Sequence, residues 1–118
     1  LSVGGLIFTF DTCNFAYSLV SAAEAYLRLK EKIVHVHLKD RSRDISRFNG
    51  ENGNVNLSGN LMYPCEVGSG YIGIGELVRQ LLRDGYSGSF SIEHFGAVDQ
   101  LGYAEKSVRY LQKIVNDL

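Results

Sequence analysis

Residues 33–40 read Ile-Val-His-Val-His-Leu-Lys-Asp, a short apolar run, 33–36, that leads into His37. Two other runs have the same form: residues 5–10 lead into Asp11, and residues 90–92 lead into Glu93. The runs are too short for helices and are nearly unbroken by polar residues, which is typical of strands covered on both faces. The sequence therefore predicts three buried strands that each end on a metal-ligating residue type.

Helical spacing separates these strands. Ser21 and Glu24 have the spacing of a capping box, which predicts a helix over about 22–30. Two apolar stripes with helical spacing follow, the first ended by Gly85: Ile74, Leu77, Val78, Leu81 and Leu82, then Ala104, Val108, Leu111, Ile114, Val115 and Leu118. The order strand, helix, strand, long loop, helix, strand, helix predicts an α/β fold with parallel strands.

The ligand positions and the chain length together predict part of a barrel. In (β/α)8 barrels the chemistry lies at the carboxyl ends of the strands, but a closed barrel takes about 250 residues. This chain has 118 residues and opens with Leu1 rather than Met. We therefore expect one partial TIM-barrel domain over 1–118, derived from a longer protein, with a long loop at about 44–73.

Composition argues against several classes of partner. Twelve basic and thirteen acidic side chains give a net charge of −1, so we expect neither nucleic acid nor an anionic membrane as a partner. No apolar stretch approaches the ~20 residues of a membrane span, and no secretory signal opens the chain. Cys13 and Cys65 are expected to be free thiols in the cytoplasm, with one disulfide as the alternative.

Four segments carry a family resemblance. They are Phe-Asp-Thr-Cys-Asn at 10–14, Val-His-Val-His-Leu-Lys-Asp-Arg at 34–41, Val-Gly-Ser-Gly at 67–70 and Gly-Tyr-Ser-Gly-Ser-Phe-Ser-Ile-Glu at 85–93. In this order the chain resembles the C-terminal part of the xylose isomerase-like TIM-barrel superfamily. That superfamily includes sugar phosphate isomerases and epimerases, D-tagatose 3-epimerase, hydroxypyruvate isomerase, inosose dehydratase and endonuclease IV. The resemblance implies strands six to eight of a (β/α)8 barrel.

The resemblance also implies a metal centre and a reaction. Asp11, His37 and Glu93 match three of four divalent-metal ligands, and the fourth, a glutamate that ends strand five, has no counterpart here. Two carboxylates and an imidazole suit Mn²⁺ or Mg²⁺, with Co²⁺ or Zn²⁺ as alternatives. The expected activity of the parent enzyme is isomerisation or epimerisation of a sugar or sugar phosphate through a metal-stabilised enediolate, with Glu93 as ligand and acid/base.

Further side chains are expected near the substrate. Arg43 falls where epimerases of the family place an arginine on substrate oxygens, and Lys39 and Arg41 are alternatives to it. Asn14 can donate a hydrogen bond to a sugar hydroxyl. The glycine-serine turn at 68–70 (Gly68, Ser69 and Gly70) either holds a phosphate with its backbone amides or is a plain turn.

Strand alternation predicts a polar layer beneath the metal. Thr9, His35 and Ser91, with Ser89, should face the same side of the sheet as the ligands. Such groups orient metal ligands, although His35 could instead contact the substrate.

The histidines argue against a metal site of the endonuclease IV type. Asn14 stands where endonuclease IV has a histidine, and with histidines only at 35, 37 and 94 the chain cannot assemble a trinuclear zinc site.

Two other hypotheses remain from the sequence. A metal-dependent lyase of the inosose dehydratase type is one alternative to an isomerase. An inactive fragment that self-associates is the other. Because three parallel strands leave two open edges, we expect a homo-oligomer or association with the N-terminal part.

Overall fold

The computed structural model describes residues 5–49 and 53–118. Within these ranges the strands are β1 (Phe8–Asp11), β2 (Ile33–Leu38), β3 (Asp40–Ser42), β4 (Asn54–Val55), β5 (Leu61–Cys65) and β6 (Phe90–Ile92). The α-helices are α1 (Asn14–Tyr17), α2 (Ala22–Leu29), α3 (Ile74–Arg83) and α4 (Gln100–Asn116). Single 3₁₀ turns span Lys30–Lys32 and Ile45–Arg47.

The three strands predicted from apolar runs form one parallel sheet in the order β1-β2-β6. The bounds differ from the prediction at two places. Strand β1 begins at Phe8 rather than Gly5, because Gly5 has a left-handed φ of 79° and Leu6 and Ile7 are exposed. Strand β2 continues past His37 to Leu38, which pairs with Ile92 of β6.

The sheet has one apolar face and one polar face. On the first, Phe10, Val36 and Leu38 are fully buried and pack with apolar residues of α2, α3 and α4: Ala22, Ala25, Tyr26, Ile74, Leu77, Val78, Leu81 and Ile114. On the second lie the polar residues that alternate with them. The expectation that the strands are covered on both faces is therefore not met by the described residues, because their helices pack on one face only.

The three predicted helices are present, but in the apolar stripe predicted for the last one Val108, Val115 and Leu118 are exposed, and Leu118 lies beyond the end of α4. The Ser21 hydroxyl accepts a hydrogen bond from the Glu24 amide at 3.1 Å, which begins α2 as the capping box predicts. After α3, Gly85 takes a left-handed φ of 87°. Helix α4 begins earlier than the apolar stripe because the Asp99 carboxylate caps it by accepting from the Gly102 amide at 2.9 Å. None of the helices in the described ranges is long and apolar enough to cross a bilayer.

The segment predicted as a long loop at 44–73 contains additional sheet structure. Strand β5 pairs antiparallel with β3 on one side and with β4 on the other, and Met62, Tyr63 and Cys65 are buried. Pro64 lies inside β5 opposite Arg41. The sequence did not predict this strand, because a proline within a segment normally argues against a central strand. The asparagine- and glycine-rich centre of the segment, 50–52, lies outside the described residues.

The buried carboxylate of Glu66, directly after β5, links the end of that strand to α4. Glu66, whose side chain is 11% exposed, forms ion pairs with Arg47 and with Lys106 at 3.1 Å, and it accepts a hydrogen bond from the Ser69 hydroxyl at 3.0 Å. Burial raises the pKa of Glu66, but hydrogen bonds from its own backbone amide, Arg47, Lys106 and Ser69 outweigh burial and lower the pKa to about 2.

This lowered pKa makes Glu66 a source of stability that depends on pH. The folded protein binds the proton more weakly than the unfolded chain, whose Glu pKa is 4.5, so the stabilisation is complete above that pH and is lost as the pH falls toward 2. We expect Glu66→Gln to reduce the free energy of unfolding at pH 7 by up to roughly 3 kcal/mol. Urea unfolding at several pH values should show the deficit shrinking between pH 5 and 2.

The matched control is Glu76→Gln, because the Glu76 side chain is 71% exposed in its ion pair with Arg83. Its effect should stay below about 1 kcal/mol. A deficit of Glu66→Gln that is constant with pH would contradict the role given to this carboxylate.

Candidate metal centre

Three metal-ligating side chains meet at the carboxyl ends of the parallel strands. Asp11 is the last residue of β1, His37 is the penultimate residue of β2, and Glu93 follows β6 directly, where its amide donates to the Leu38 carbonyl at 3.0 Å. Asp11 pairs with His37 and His37 with Ser91 in the sheet register. One ligand atom from each of the three side chains lies within 4.8 Å of the others.

The carboxylates are oriented by hydrogen bonds. Asp11 Oδ1 accepts from the backbone amides of Cys13 at 2.9 Å and Asn14 at 3.2 Å, whereas Oδ2 lies 3.0 Å from Lys39 Nζ. Glu93 Oε1 lies 3.1 Å from His37 Nδ1. The local sequence explains the first arrangement, because an aspartate at a strand end followed by a helical turn can accept from the amides two and three residues on.

Lys39 lies between the two carboxylates. Its Nζ is 3.0 Å from Asp11 Oδ2 and 3.6 Å from Glu93 Oε2, and its side chain is 13% exposed. Burial lowers the pKa of Lys39, but the hydrogen bond and the charge of Asp11, with smaller contributions from Cys13 and Glu93, outweigh burial and raise the pKa above its usual range. The lysine is therefore charged at neutral pH and is part of the site.

The donor set fits a divalent cation. An ion bound at about 2.1–2.4 Å from each ligand needs ligand atoms roughly 3–4.5 Å apart, and the separations here, within 4.8 Å, are close to this. Two carboxylates and one imidazole are the ligand types that Mn²⁺ and Mg²⁺ accept. Asp11 and Glu93 would supply oxygens and His37 a ring nitrogen.

A polar layer lies below these ligands, as alternation predicts. His35 Nδ1 is 3.0 Å from Ser89 Oγ, and His35 Nε2 is 2.9 Å from Ser91 Oγ. The His35 ring stands edge-on to the His37 ring with centroids 5.0 Å apart. Thr9 lies beside His35 in the register. Both ring nitrogens of His35 have hydroxyl partners, and its ring packs against that of His37. The geometry therefore favours a role of His35 in orienting His37 over a direct contact with the substrate.

The predicted substrate residues occupy different environments. Arg43 is exposed, and its guanidinium stacks 4.2 Å above the Tyr71 ring. Arg41 is 2% exposed and donates to Tyr17 Oη and to the Asp40 carbonyl, both at 3.5 Å, so it is an interior side chain and a poor alternative to Arg43. Asn14 is exposed at the start of α1, next to the Asp11 carboxylate.

The glycine-serine turn does not offer its amides to a phosphate. The amides of Gly68 and Gly70 donate to Asp40 Oδ2 at 2.9 and 3.1 Å, and the Ser69 amide donates to the Glu66 carbonyl at 3.0 Å. The amide of Ile72 adds a bond to Asp40 Oδ1 at 3.3 Å. The turn does cradle an anion, as its composition suggested, but the anion is the carboxylate of the chain itself.

Two residues that the sequence reasoning missed hold the end of β2. Asp40 is 1% exposed and accepts the amides of the glycine turn. Thr12 is fully buried, and its hydroxyl accepts from the Lys39 amide at 2.9 Å and donates to the Lys39 carbonyl at 2.8 Å. The sequence did offer a signal for Asp40, because an aspartate follows the apolar strand and Lys39 directly. It offered none for Thr12.

Comparison with known proteins agrees with this geometry. The model of the family described as xylose isomerase-like TIM barrel matches residues 5–114, a span that includes all three candidate ligands and Lys39. A comparison with curated proteins gave no match. Proteins of this family are generally enzymes, among them isomerases, epimerases and endonucleases, and many bind divalent metals. With almost the whole chain matched, a parallel α/β sheet and a cluster able to hold a metal ion, the chain belongs to the xylose isomerase-like TIM barrel family.

Proposed function

We propose that this chain carries part of the active site of a divalent-metal-dependent isomerase or epimerase that acts on a sugar or sugar phosphate. The observation that carries the proposal is the convergence of Asp11, His37 and Glu93 at one end of the parallel sheet. When bound there, Mn²⁺ or Mg²⁺ would polarise a substrate carbonyl and the adjacent hydroxyl. The free and buried state of Cys13 and Cys65 agrees with a reducing, cytoplasmic location.

Glu93 is the proposed acid/base. Its carboxylate is 38% exposed, the most open of the three ligands, while Asp11 is 11% exposed and tied to two backbone amides. A carboxylate that is accessible and adjacent to the polarised carbon can remove a proton there and return it. The opposing base, a glutamate at the end of strand five in the family resemblance, would come from a segment of the parent protein outside these residues.

Substrate oxygens are proposed to contact Lys39 and Asn14, which lie beside the ligands. Arg43 stacks on the Tyr71 ring at the protein surface. To reach the substrate, its side chain would have to leave that ring. For the phosphate of a sugar phosphate, Arg43 is a better candidate than the glycine-serine turn, whose Gly68 and Gly70 amides are already bonded to Asp40.

The metal site is tested by Asp11→Asn. The carbonyl oxygen of asparagine can still accept the hydrogen bonds from the Cys13 and Asn14 amides, but the side chain has no negative charge to bind the metal. We expect the affinity for Mn²⁺, measured by isothermal titration calorimetry, to fall by at least about tenfold. The control Asp117→Asn, at the exposed end of α4, should bind as the wild type does. Equal affinity of Asp11→Asn and wild type would remove Asp11 from the ligand set.

The catalytic role is tested by Glu93→Gln in the complete enzyme. The variant should keep the fold and lose at least about 10²-fold in kcat, because a proton-transfer group and a ligand charge are removed together. Glu105→Gln, on the exposed surface of α4, is the control. Full isomerase activity of Glu93→Gln would dismiss the role, and a dehydrated product from the wild type would identify a lyase instead.

We also propose that the chain associates with further strands, from a second copy or from the N-terminal part of the parent protein. In the described residues β1 and β6 each pair with β2 alone, so both leave one edge open. Apolar side chains that precede β1 or follow β6 along the chain are exposed, among them Leu6 at 61%, Ile7 at 70% and Phe95 at 73%. Open edges and exposed apolar groups together favour association.

Light scattering coupled to gel filtration tests this proposal. The purified chain should have a mass above that of its 13.1 kDa monomer. Leu6→Lys should weaken the association because it puts a charge beside the β1 edge, while Leu118→Lys, which has the same 61% exposure at the end of the chain, should not. A stable monomer at high concentration, without any partner chain, would contradict the proposal.

A further inference from the structure

The Lys39 ammonium lies beside both carboxylates of the proposed metal site. Asp11 Oδ1 is committed to two backbone amides, and Glu93 Oε1 faces His37 Nδ1. The other oxygen of each carboxylate, Asp11 Oδ2 and Glu93 Oε2, faces Lys39 Nζ at 3.0 and 3.6 Å. An ion that binds Asp11 Oδ2 would therefore take an oxygen that now faces the ammonium.

The backbone of Lys39 is held at both ends. The Thr12 hydroxyl bonds both the amide and the carbonyl of Lys39, and the Thr12 amide donates to the His37 carbonyl at 3.1 Å. On the other side, the buried Asp40 carboxylate is bonded to the amides of Arg41, Gly68, Gly70 and Ile72. Because the backbone is fixed on both sides, the ammonium can move only by rotation of its own side chain.

From these contacts we infer that Lys39 is a built-in competitor of the metal. Its ammonium offsets one of the two negative charges of Asp11 and Glu93, and it has to leave Asp11 Oδ2 when a divalent ion binds that oxygen. This inference rests on the proposed metal site and adds a residue that sets the affinity of that site. Two carboxylates alone would attract a divalent ion with two negative charges, whereas with the ammonium beside them only one net negative charge remains.

Displacement leaves the ammonium next to the ion rather than in bulk solvent. The stem of Lys39 begins immediately after β2, two residues beyond His37, and its amide is held by the Thr12 hydroxyl. A displaced ammonium of that reach lies beside the ligands, where it can hold an anionic substrate oxygen. One residue thus weakens metal binding and contributes to substrate binding.

The test compares Mn²⁺ binding to four forms of the protein by isothermal titration calorimetry. Lys39→Met removes the charge and keeps a long apolar stem, and it should raise the Mn²⁺ affinity by at least about tenfold, the effect of one nearby charge in a poorly solvated site. Lys39→Arg keeps the charge and should stay much closer to the wild type. Lys113→Met removes an exposed charge from α4 and should change nothing.

The outcomes separate this inference from the metal proposal itself. An unchanged or weaker affinity of Lys39→Met, in a protein whose Mn²⁺ binding depends on Asp11, overturns the competition and leaves the metal site standing. No Mn²⁺ binding by any form overturns both. Binding by Lys39→Met alone supports competition in its strongest form. If Lys39→Met fails to fold by circular dichroism, Lys39→Gln carries the same expectation and decides the question.

Discussion

The buried carboxylate of Asp40 is the contact on which the arrangement of the site depends. A charged oxygen pair at 1% exposure is stable only when hydrogen bonds replace its water, and four backbone amides do so here. Three of these amides come from 68–72, the segment that leads into α3. The carboxyl end of β2 is thereby fixed to a distant part of the chain, and the residues just before Asp40, His37 and Lys39, are held where they meet Asp11.

The parallel sheet separates stability from chemistry. Alternation places Phe10, Val36 and Leu38 against the helices, while Asp11, His37 and Lys39 take the opposite face. The ligand side chains of the polar face are therefore not part of the apolar packing.

Charge compensation decides how the polar face is organised. Asp11 and Glu93 approach the same region, and two close carboxylates repel unless a cation lies between them. The structure supplies an ammonium from Lys39, and many proteins of the family bind a divalent metal, which the same carboxylates could hold. The exposed fraction of the three ligands rises from Asp11 to His37 to Glu93, at 11%, 31% and 38%, so the group proposed to move protons is also the most accessible one.

The sequence by itself determined the three parallel strands, the capping of α2 at Ser21 and the three candidate ligands, because apolar runs, helical spacing and caps are encoded by consecutive residues. Only the tertiary structure decided that the amides of the glycine-serine turn belong to Asp40, that Arg41 is interior and that Lys39 bridges the carboxylates. It also decided the pairing of β5, a strand that contains Pro64. Several of these features join residues that are distant in the sequence: Asp40 and Gly68 are 28 positions apart, and Arg41 and Pro64 are 23 positions apart. Others depend on which oxygen of a carboxylate is free, and local patterns carry no information about either.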